Sequence, residues 1–487
     1  MADIILRKLD EVFIKFECER STAQELSDHF TFFVPGYQFT PQYKSRVWDG
    51  KIRLANLRTF SIYSGLLPYI KKFCEERDYK LEVDDELLLT ENFSLKEADD
   101  FIKTLNVPFE RHDYQLLSFV NLIRNQKGLL LSPTSSGKSF ILYLIIRYIQ
   151  QTCKKGLLIV PRTSLVEQMF SDFKSYGWNS EDYCHRQYAG RDKFTDKFLT
   201  ITTWQSIYQL PPEYFEQFDF VLGDEAHEFK AKSLTTIMTS LVNTKYRIGC
   251  TGTLDGTQTH KLVLEGLFGP VQRYTTTKDL MDNDQVAKLN IKCLILKYAD
   301  EVCKQARSWD YHSELEYIVK NTARNKFIKN LALSLKGNTL ILFQLVEKHG
   351  KILYPLINES ADGRKVFFVY GGTEVDQREE IRKIAETNDN IIIIASYGTF
   401  STGINIRNLH NVIFASPSKS RVRNLQSIGR GLRKSENKND ATLFDIADDF
   451  RIGKFTNFTL QHFTERVKIY NEEKFDYKFY NINLKNE

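Results

Sequence analysis

The sequence predicts an α/β protein: two tandem parallel-sheet lobes, a small α+β domain ahead of them and a helical extension behind. Three observations predict it. Between about residues 106 and 285 short apolar runs alternate with helix-spaced segments. The same alternation returns between about 286 and 459. The stretch before them, to about residue 105, is short and mixed, and the stretch 460–487 reads as an amphipathic helix with a tail. Short β runs separated by helices indicate a parallel sheet with helices on both faces.

The elements follow in order. In 1–105, EVFIKFEC reads as a strand and STAQELSDHFTFF as a capped helix. GYQFTPQYKSRVWDGKIRLANL reads as strands around a turn at Trp48-Asp49-Gly50, and GLLPYIKKFCEERDY has helical spacing. In 106–285 the strands are GLLLS, GLLIVP, FLTITTW, FDFVLGDE and YRIGCTGT, with SFILYLIIRYIQQ, SLVEQMFSDFKSYG and KSLTTIMTSLVN as helices between them. In 286–459 the strands are TLILFQ, KVFFVYG, NIIIIASY, NVIFAS and ATLFDIAD.

Length and composition bound the function. A chain of 487 residues with 42% hydrophobic and 26% charged residues holds several ordinary globular domains. No apolar run is long enough to span a bilayer, and the N-terminus alternates apolar and charged residues unlike a signal peptide. An intracellular protein is expected, with no membrane partner. The seven cysteines form no C-x-x-C pair, which predicts reduced thiols without a zinc site or a disulfide framework. The net charge is only +5, but residues 36–72 hold seven Lys or Arg against one acid, together with seven aromatics. Cations neutralise phosphates and aromatic rings stack on bases, so Lys44, Arg46, Trp48, Lys51 and Arg53 are candidate nucleic-acid contacts. A small sheet with an aromatic core is the alternative.

Two motifs carry chemistry in the first lobe. SPTSSGKS joins an apolar strand to an apolar helix, the context a phosphate-binding loop needs, because free backbone N–H groups and the helix dipole meet the anion there. Thr134, Ser135, Ser136 and Gly137 would cradle phosphates, Lys138 would reach the β and γ phosphates, and Ser139 would ligate Mg²⁺. Ser132 stands where the usual pattern has its first glycine. Asp224-Glu225-Ala226-His227 ends another apolar strand. There Asp224 would hold Mg²⁺ and Glu225 would orient and deprotonate the attacking water. The second lobe offers Gln426, Gly429, Arg430 and Arg433 in a Q-x-x-G-R-x-x-R pattern. At i and i+3 on a helix the two guanidiniums share a face, and their planar forks suit phosphate.

Lys138, Asp224, Glu225 and His227 resemble the phosphate-loop and DEAH-type motifs of superfamily 2 helicases. That resemblance implies two RecA-like lobes with ATP held between them, and further motifs in a fixed order. Gln115 resembles the family's adenine-reading glutamine. Arg162 with Thr163, and Thr203 with Gln205, resemble segments that touch the nucleic-acid backbone. His227, Thr251 and Thr253 resemble residues that link hydrolysis to movement. In the second lobe Gly371 and Thr373 resemble backbone-phosphate contacts, and Thr402, Gly403 and Asn405 resemble the segment bridging nucleotide and nucleic acid, although many relatives carry Asp where Asn405 stands. Gln426, Arg430 and Arg433 take catalytic roles by the same resemblance, Arg433 as arginine finger.

The N-terminal stretches GYQFTPQYKSRVWDGKIRL and GLLPYIKKFC are similar to the N-terminal module of phage recombination helicases within that superfamily, as is the segment YNEEKFDY near the other end. The resemblance implies a monomeric ATP- and Mg²⁺-dependent motor in the cytoplasm of a bacterial host. Such a motor unwinds branched DNA (forks, Holliday junctions, R-loops with RNA–DNA hybrids) and drives branch migration in recombination, replication and repair. Recombination or single-strand-binding proteins would be natural partners, and single-stranded or duplex DNA natural substrates. Three alternatives stay open: a duplex translocase of the restriction-enzyme type, a nucleotide-gated DNA-binding protein with little turnover, and a small-molecule P-loop kinase, which has no need of the second lobe.

Overall fold

A computed structural model describes residues 2–228, 232–254, 257–403, 406, 408–418, 420, 427–429 and 440–484. The chain divides into two compact units, one of residues 1–132 with 137–274, the other of 133–136 with 275–487.

The first unit contains two main sheets and a small antiparallel pair, Thr31–Phe33 with Lys51–Arg53. The smaller main sheet is ordered Ala55–Asn56, Ser61–Tyr63, Phe13–Cys18, Ile4–Lys8, Leu81–Val83. Its alternation turns Ile4, Leu6, Ile14 and Phe16 to a core shared with Leu26 of helix Arg20–His29 and with Ile70 and Phe73 of helix Leu67–Glu75. Two expectations change here. The first helix begins at Arg20 behind an extended Glu19 without a side-chain cap, and its last expected residues form strand Thr31–Phe33. The stretch expected as strands around Trp48 begins with helical turns, Tyr37–Phe39 and Pro41–Lys44; only Lys51–Arg53 and Ala55–Asn56 are strands. Thr40 accepts from the Tyr43 N–H at an N-cap and Pro41 follows it, a pairing that starts a helical turn and lacks a ladder donor.

The larger sheet of this unit is wholly parallel, ordered Cys184–Gln187, Leu199–Thr203, Gly156–Val160, Phe220–Gly223, Tyr246–Thr251, Lys127–Leu131, Val271–Gln272. Its inner strands are largely buried on both faces, and Gly156–Val160 and Phe220–Gly223 accordingly are unbroken apolar runs. Helix Lys138–Ile149 is apolar on nearly every side because it lies between helices Asp113–Asn125 and Thr163–Ser175. Burying each of its Leu, Ile and Phe side chains contributes about 1.5–3 kcal/mol. That fixes the helix N-terminus, and with it the phosphate loop.

The two sheets are joined within the unit. Gly65 lies so close to helix Gln258–Phe268 that a Cβ there would stand 1.9 Å from the Glu265 carbonyl. Tyr69 donates to the Glu265 carboxylate at 2.7 Å, and the Lys127 ammonium reaches the Glu11 carbonyl at 2.8 Å and its carboxylate at 3.1 Å.

The second unit repeats the architecture with a seven-stranded parallel sheet, ordered Val366–Val369, Ile392–Ser396, Thr339–Phe343, Asn411–Phe414, Asp440–Asp449, Lys288–Lys297, Tyr477–Asn483. The C-terminal helix spans Phe458–Glu472, and the tail behind it is the edge strand, parallel to Lys288–Lys297. Buried Glu314 holds the N-terminus of that helix, accepting from the Phe458 and Thr459 N–H groups at 2.9 and 2.8 Å.

Candidate active site

Because all strands of the first unit's large sheet are parallel, their C-terminal ends share one edge, where ligands sit in this architecture. The register places the candidate residues side by side along it. The Ser132 N–H donates to the Thr251 carbonyl at 3.0 Å, tying the start of the phosphate loop to the end of the neighbouring strand. The Asp224 N–H donates to the Ile159 carbonyl at 3.0 Å, and Thr203 pairs with Val160 one strand further on.

Two left-handed residues shape the loop between strand Lys127–Leu131 and helix Lys138–Ile149. Gly137, the N-cap of helix Lys138–Ile149, is left-handed at φ +76°, and a Cβ there would lie 2.6 Å from Gln115 Nε2. Gln115 is buried and its Oε1 accepts from the His112 N–H at 2.9 Å, so the side chain caps its own helix while its amide faces the loop. Ser135 is also left-handed, at φ +71°, where the sequence supplies a Cβ instead of the glycine that conformation favours. The Ser136 hydroxyl donates to the Pro133 carbonyl at 2.7 Å. Thr134 lies in the same loop. Lys138 folds back to donate to the Ser132 carbonyl at 3.3 Å, and the Ser139 hydroxyl meets the Tyr176 hydroxyl at 2.8 Å.

Across the edge, Asp224 is buried, and its Oδ1 has no hydrogen-bond partner among the described residues. Burial, with the Glu225 carboxylate beside it, holds Asp224 well above the usual carboxylate range, against the pull of Lys138. A divalent cation fits this arrangement: it would satisfy the orphaned oxygen and restore the ionised form. Among the described residues no cluster of three His, Cys, Asp or Glu gathers to hold an ion alone. Mg²⁺ on a nucleotide needs only one or two protein ligands, its remaining positions going to phosphate and water. Ser139 and Asp224 would be such a pair.

Glu225 sits at φ +50°, a conformation uncommon for a non-glycine residue and typical of residues whose side chains a turn must aim. His227 Nδ1 stands 3.3 Å from the Glu225 carboxylate and 3.0 Å from the Thr251 hydroxyl. The Thr251 hydroxyl spends its own proton on the Thr253 carbonyl at 2.9 Å, so it accepts from His227, which fixes the proton on Nδ1. The buried Thr253 hydroxyl has no hydrogen-bond partner among the described residues. On the other side of the imidazole, Nε2 lies 4.0 Å from the Glu228 carboxylate, which Arg162 approaches at 3.5 Å. One chain of contacts therefore runs from Thr253 through His227 to Arg162.

The remaining candidates are dispersed. Arg162 is the N-cap residue of helix Thr163–Ser175, and Thr163 is exposed at its first position. Thr203 is buried with its hydroxyl 2.9 Å from that of Ser206, and Gln205 is exposed. In the second unit Gly371 is exposed and its carbonyl accepts from Arg378 at 2.9 Å, while the Thr373 hydroxyl accepts from the Tyr370 N–H at 3.0 Å. Thr402 and Gly403 end helix Tyr397–Gly403. Asn405, Gln426, Arg430 and Arg433 lie outside the described residues.

In the N-terminal domain Lys44 and Arg46 are exposed beside Tyr43 and Trp48 around an open cavity of about 480 Å³. The Trp48 indole donates to the Lys51 carbonyl at 2.9 Å, Lys51 lies over the Phe33 ring, and Arg53 is paired with Asp49. The pattern of residue types does not point to Tyr176 or Glu228; the fold brings Tyr176 to Ser139, and Glu228 follows His227 directly in the chain.

The comparisons with known proteins agree along the chain. Residues 3–84 match the family described as the N-terminal region of the DNA helicase UvsW. Residues 90–256 match the res subunit of type III restriction enzymes, and residues 323–435 the helicase conserved C-terminal domain. The chain is 35% identical over 506 residues to the ATP-dependent DNA helicase uvsW of Enterobacteria phage T4, covering 99% of this chain and 100% of that one. It is 23% identical to the DNA 3'-5' translocase XPB2 of Sulfurisphaera tokodaii, over 71% of this chain and 84% of the relative. Among solved structures, T4 UvsW matches with a TM-score of 0.53 at 33% identity, covering 99% of this chain and 100% of that one. The type ISP restriction-modification enzyme LlaBIII shares the fold at a TM-score of 0.58 and 16% identity, over 85% of this chain and 34% of that one.

Proposed function

The chain belongs to the UvsW family of superfamily 2 helicases and is an ATP-dependent DNA helicase; from that premise we propose that it unwinds branched DNA and drives branch migration in phage recombination, replication and repair. The single observation that carries this proposal is the extent of the likeness. It runs through residues 3–84, which contain no ATPase motif, as well as through both lobes. The basic and aromatic residues Lys44, Arg46, Trp48, Lys51 and Arg53 lie in that block and are proposed to contact DNA.

The proposed roles follow from the geometry. The loop 132–139, with the helix N-terminus behind it, receives phosphates; Lys138 exchanges its contact with the Ser132 carbonyl for phosphate oxygens. Ser139 and Asp224 hold Mg²⁺, which when bound offsets charge on the β and γ phosphates. Glu225 orients the attacking water and takes its proton. Gln115 stands against Gly137, where its side-chain amide is proposed to read the adenine. His227, Thr251 and Thr253 pass the state of the γ-phosphate site toward Glu228 and Arg162, and Arg162, Thr163, Thr203 and Gln205 contact the DNA backbone. In the second unit Gly371, Thr373 and Thr402 are proposed to touch DNA, Gly403 and Asn405 the nucleotide, and Gln426, Arg430 and Arg433 the phosphates. The chain is proposed to act as a monomer inside the host cell, in four blocks, 1–105, 106–285, 286–459 and 460–487.

ATP turnover measured with and without DNA tests this reading. It predicts low turnover alone and a strong rise with branched or single-stranded DNA. Turnover indifferent to any nucleic acid would refute a motor. A duplex translocase that leaves strands paired is the second reading, favoured by the match of residues 90–256 to a restriction subunit.

A further inference from the structure

Tyr176 closes a chain of contacts that ends on the Mg²⁺-ligating hydroxyl. Its hydroxyl lies 2.8 Å from Ser139 Oγ and has no other hydrogen-bond partner among the described residues. The Tyr176 ring is held edge-on by three others, Phe109, Phe140 and Tyr143, with centroids 5.5, 5.5 and 5.3 Å away. Its carbonyl accepts from the Tyr143 hydroxyl at 3.3 Å, which itself accepts from Arg147 at 2.9 Å. A rigidly packed aromatic hydroxyl beside a freely rotating serine has one evident consequence: it selects the serine rotamer.

The direction of the bond matters. A serine hydroxyl has one proton and two lone pairs. When Ser139 donates that proton to Tyr176 Oη, both lone pairs of Oγ remain for a cation. A serine left to itself would spend the proton on whichever acceptor it met, a phosphate oxygen included.

We propose that Tyr176 is a positioning residue for Mg²⁺, accepting the Ser139 proton so that Oγ presents its lone pairs to the ion. The inference rests on the reading of Ser139 as an Mg²⁺ ligand. Tyr176 is also the C-cap of helix Thr163–Ser175, whose other end carries the proposed DNA contacts Arg162 and Thr163. The same packing therefore ties the Mg²⁺ ligand to the helix that DNA would press upon.

The test is the Mg²⁺ dependence of binding of a fluorescent ADP analogue to the full chain, in wild type, Tyr176→Phe, Ser139→Ala and the double variant. Thermal melts confirm that each variant is folded. Loss of one hydrogen bond predicts that Tyr176→Phe raises the Mg²⁺ concentration for half-maximal binding about three- to tenfold. Nucleotide affinity in EDTA should stay at the wild-type value. The double variant should be no worse than Ser139→Ala alone, since Tyr176 acts only through Ser139. An unchanged Mg²⁺ requirement in Tyr176→Phe, or additive effects in the double variant, would overturn the proposal. An unchanged requirement in Ser139→Ala would instead refute the underlying assignment of Ser139.

Discussion

His227 Nδ1 donates to the Thr251 hydroxyl across 3.0 Å, joining the strand end that carries Asp224 and Glu225 to the neighbouring strand end that carries Thr251 and Thr253. The same nitrogen lies 3.3 Å from Glu225. An imidazole shared between the carboxylate proposed to act in hydrolysis and the adjacent strand is placed to transmit, since anything that moves Glu225 changes what Thr251 receives. Replacing His227 with Ala should leave nucleotide binding intact and reduce the stimulation of hydrolysis by DNA about tenfold, the usual size of coupling between sites. Thr251→Ala should behave alike, and the double variant should add little. ATPase titrations with DNA check this, and full stimulation in His227→Ala would remove the imidazole from the coupling path.

Ser135 adopts φ +71°, a conformation that glycine takes at less cost. A left-handed residue with a Cβ costs on the order of 1 kcal/mol. Ser135→Gly should therefore raise the melting temperature slightly and leave ATP affinity within about threefold of wild type, the added backbone freedom offsetting the relieved strain. Calorimetric melting and nucleotide titration measure both quantities. A large gain in affinity would mean that the serine impairs the loop.

The second unit has an acid-sensitive contact. Burial opposes ionisation of Asp449, but bidentate Arg451, at 2.7 to 3.1 Å, and Lys297 overcome it and hold the carboxyl at about 2. A carboxyl depressed in the folded state stabilises it above its unfolded value near 4 and loses that contribution as pH falls toward 2. The contribution is on the order of 2 kcal/mol. Urea unfolding between pH 7 and pH 2.5 should show it, and Asp449→Asn should be less stable at neutral pH but lose less on acidification. Parallel pH profiles for the two proteins would contradict the assignment.

Glu11 and Lys127 tie the N-terminal sheet to the parallel sheet of the same unit. Burial pulls the Lys127 ammonium below its usual range, against the pull of Glu11, so the pair is partly desolvated. Removing one partner leaves the other uncompensated. Lys127→Met should destabilise the docking by about 2 kcal/mol and expose residues 1–105 to limited proteolysis ahead of the rest. An unchanged digestion pattern would show that Gly65 and Tyr69, packed on helix Gln258–Phe268, suffice for the docking.

Which parts of this were legible follows from how each is encoded. Inner strands such as Gly156–Val160 and Phe220–Gly223 are continuous apolar runs, and SPTSSGKS and Asp224-Glu225-Ala226-His227 are local in the chain, so each is readable from sequence alone. Strands Lys288–Lys297 and Tyr477–Asn483 do not stand out in the sequence. The first alternates lysine with apolar residues, and the second is an edge strand whose mostly exposed residues draw on the neighbour's ladder for their conformation. The turns at 37–44 were hidden because aromatic and basic residues suit a strand equally well; Pro41 and Thr40 decided the matter. Tyr176, Glu228 and the Glu11–Lys127 pair are products of tertiary packing, with partners 37, 66 and 116 residues away. Spacing along the chain cannot show such contacts.

Strand separation measured on a matched panel tests the central claim most directly. Forks, four-way junctions, R-loops and fully paired linear duplex of equal length are each incubated with Mg²⁺-ATP, with Lys138→Ala as the inactive control. The account predicts ATP-dependent unwinding of the branched substrates, migration of the four-way junction, and none of either with Lys138→Ala. ATP consumed on every substrate while all strands stay paired would contradict it and identify a duplex translocase instead.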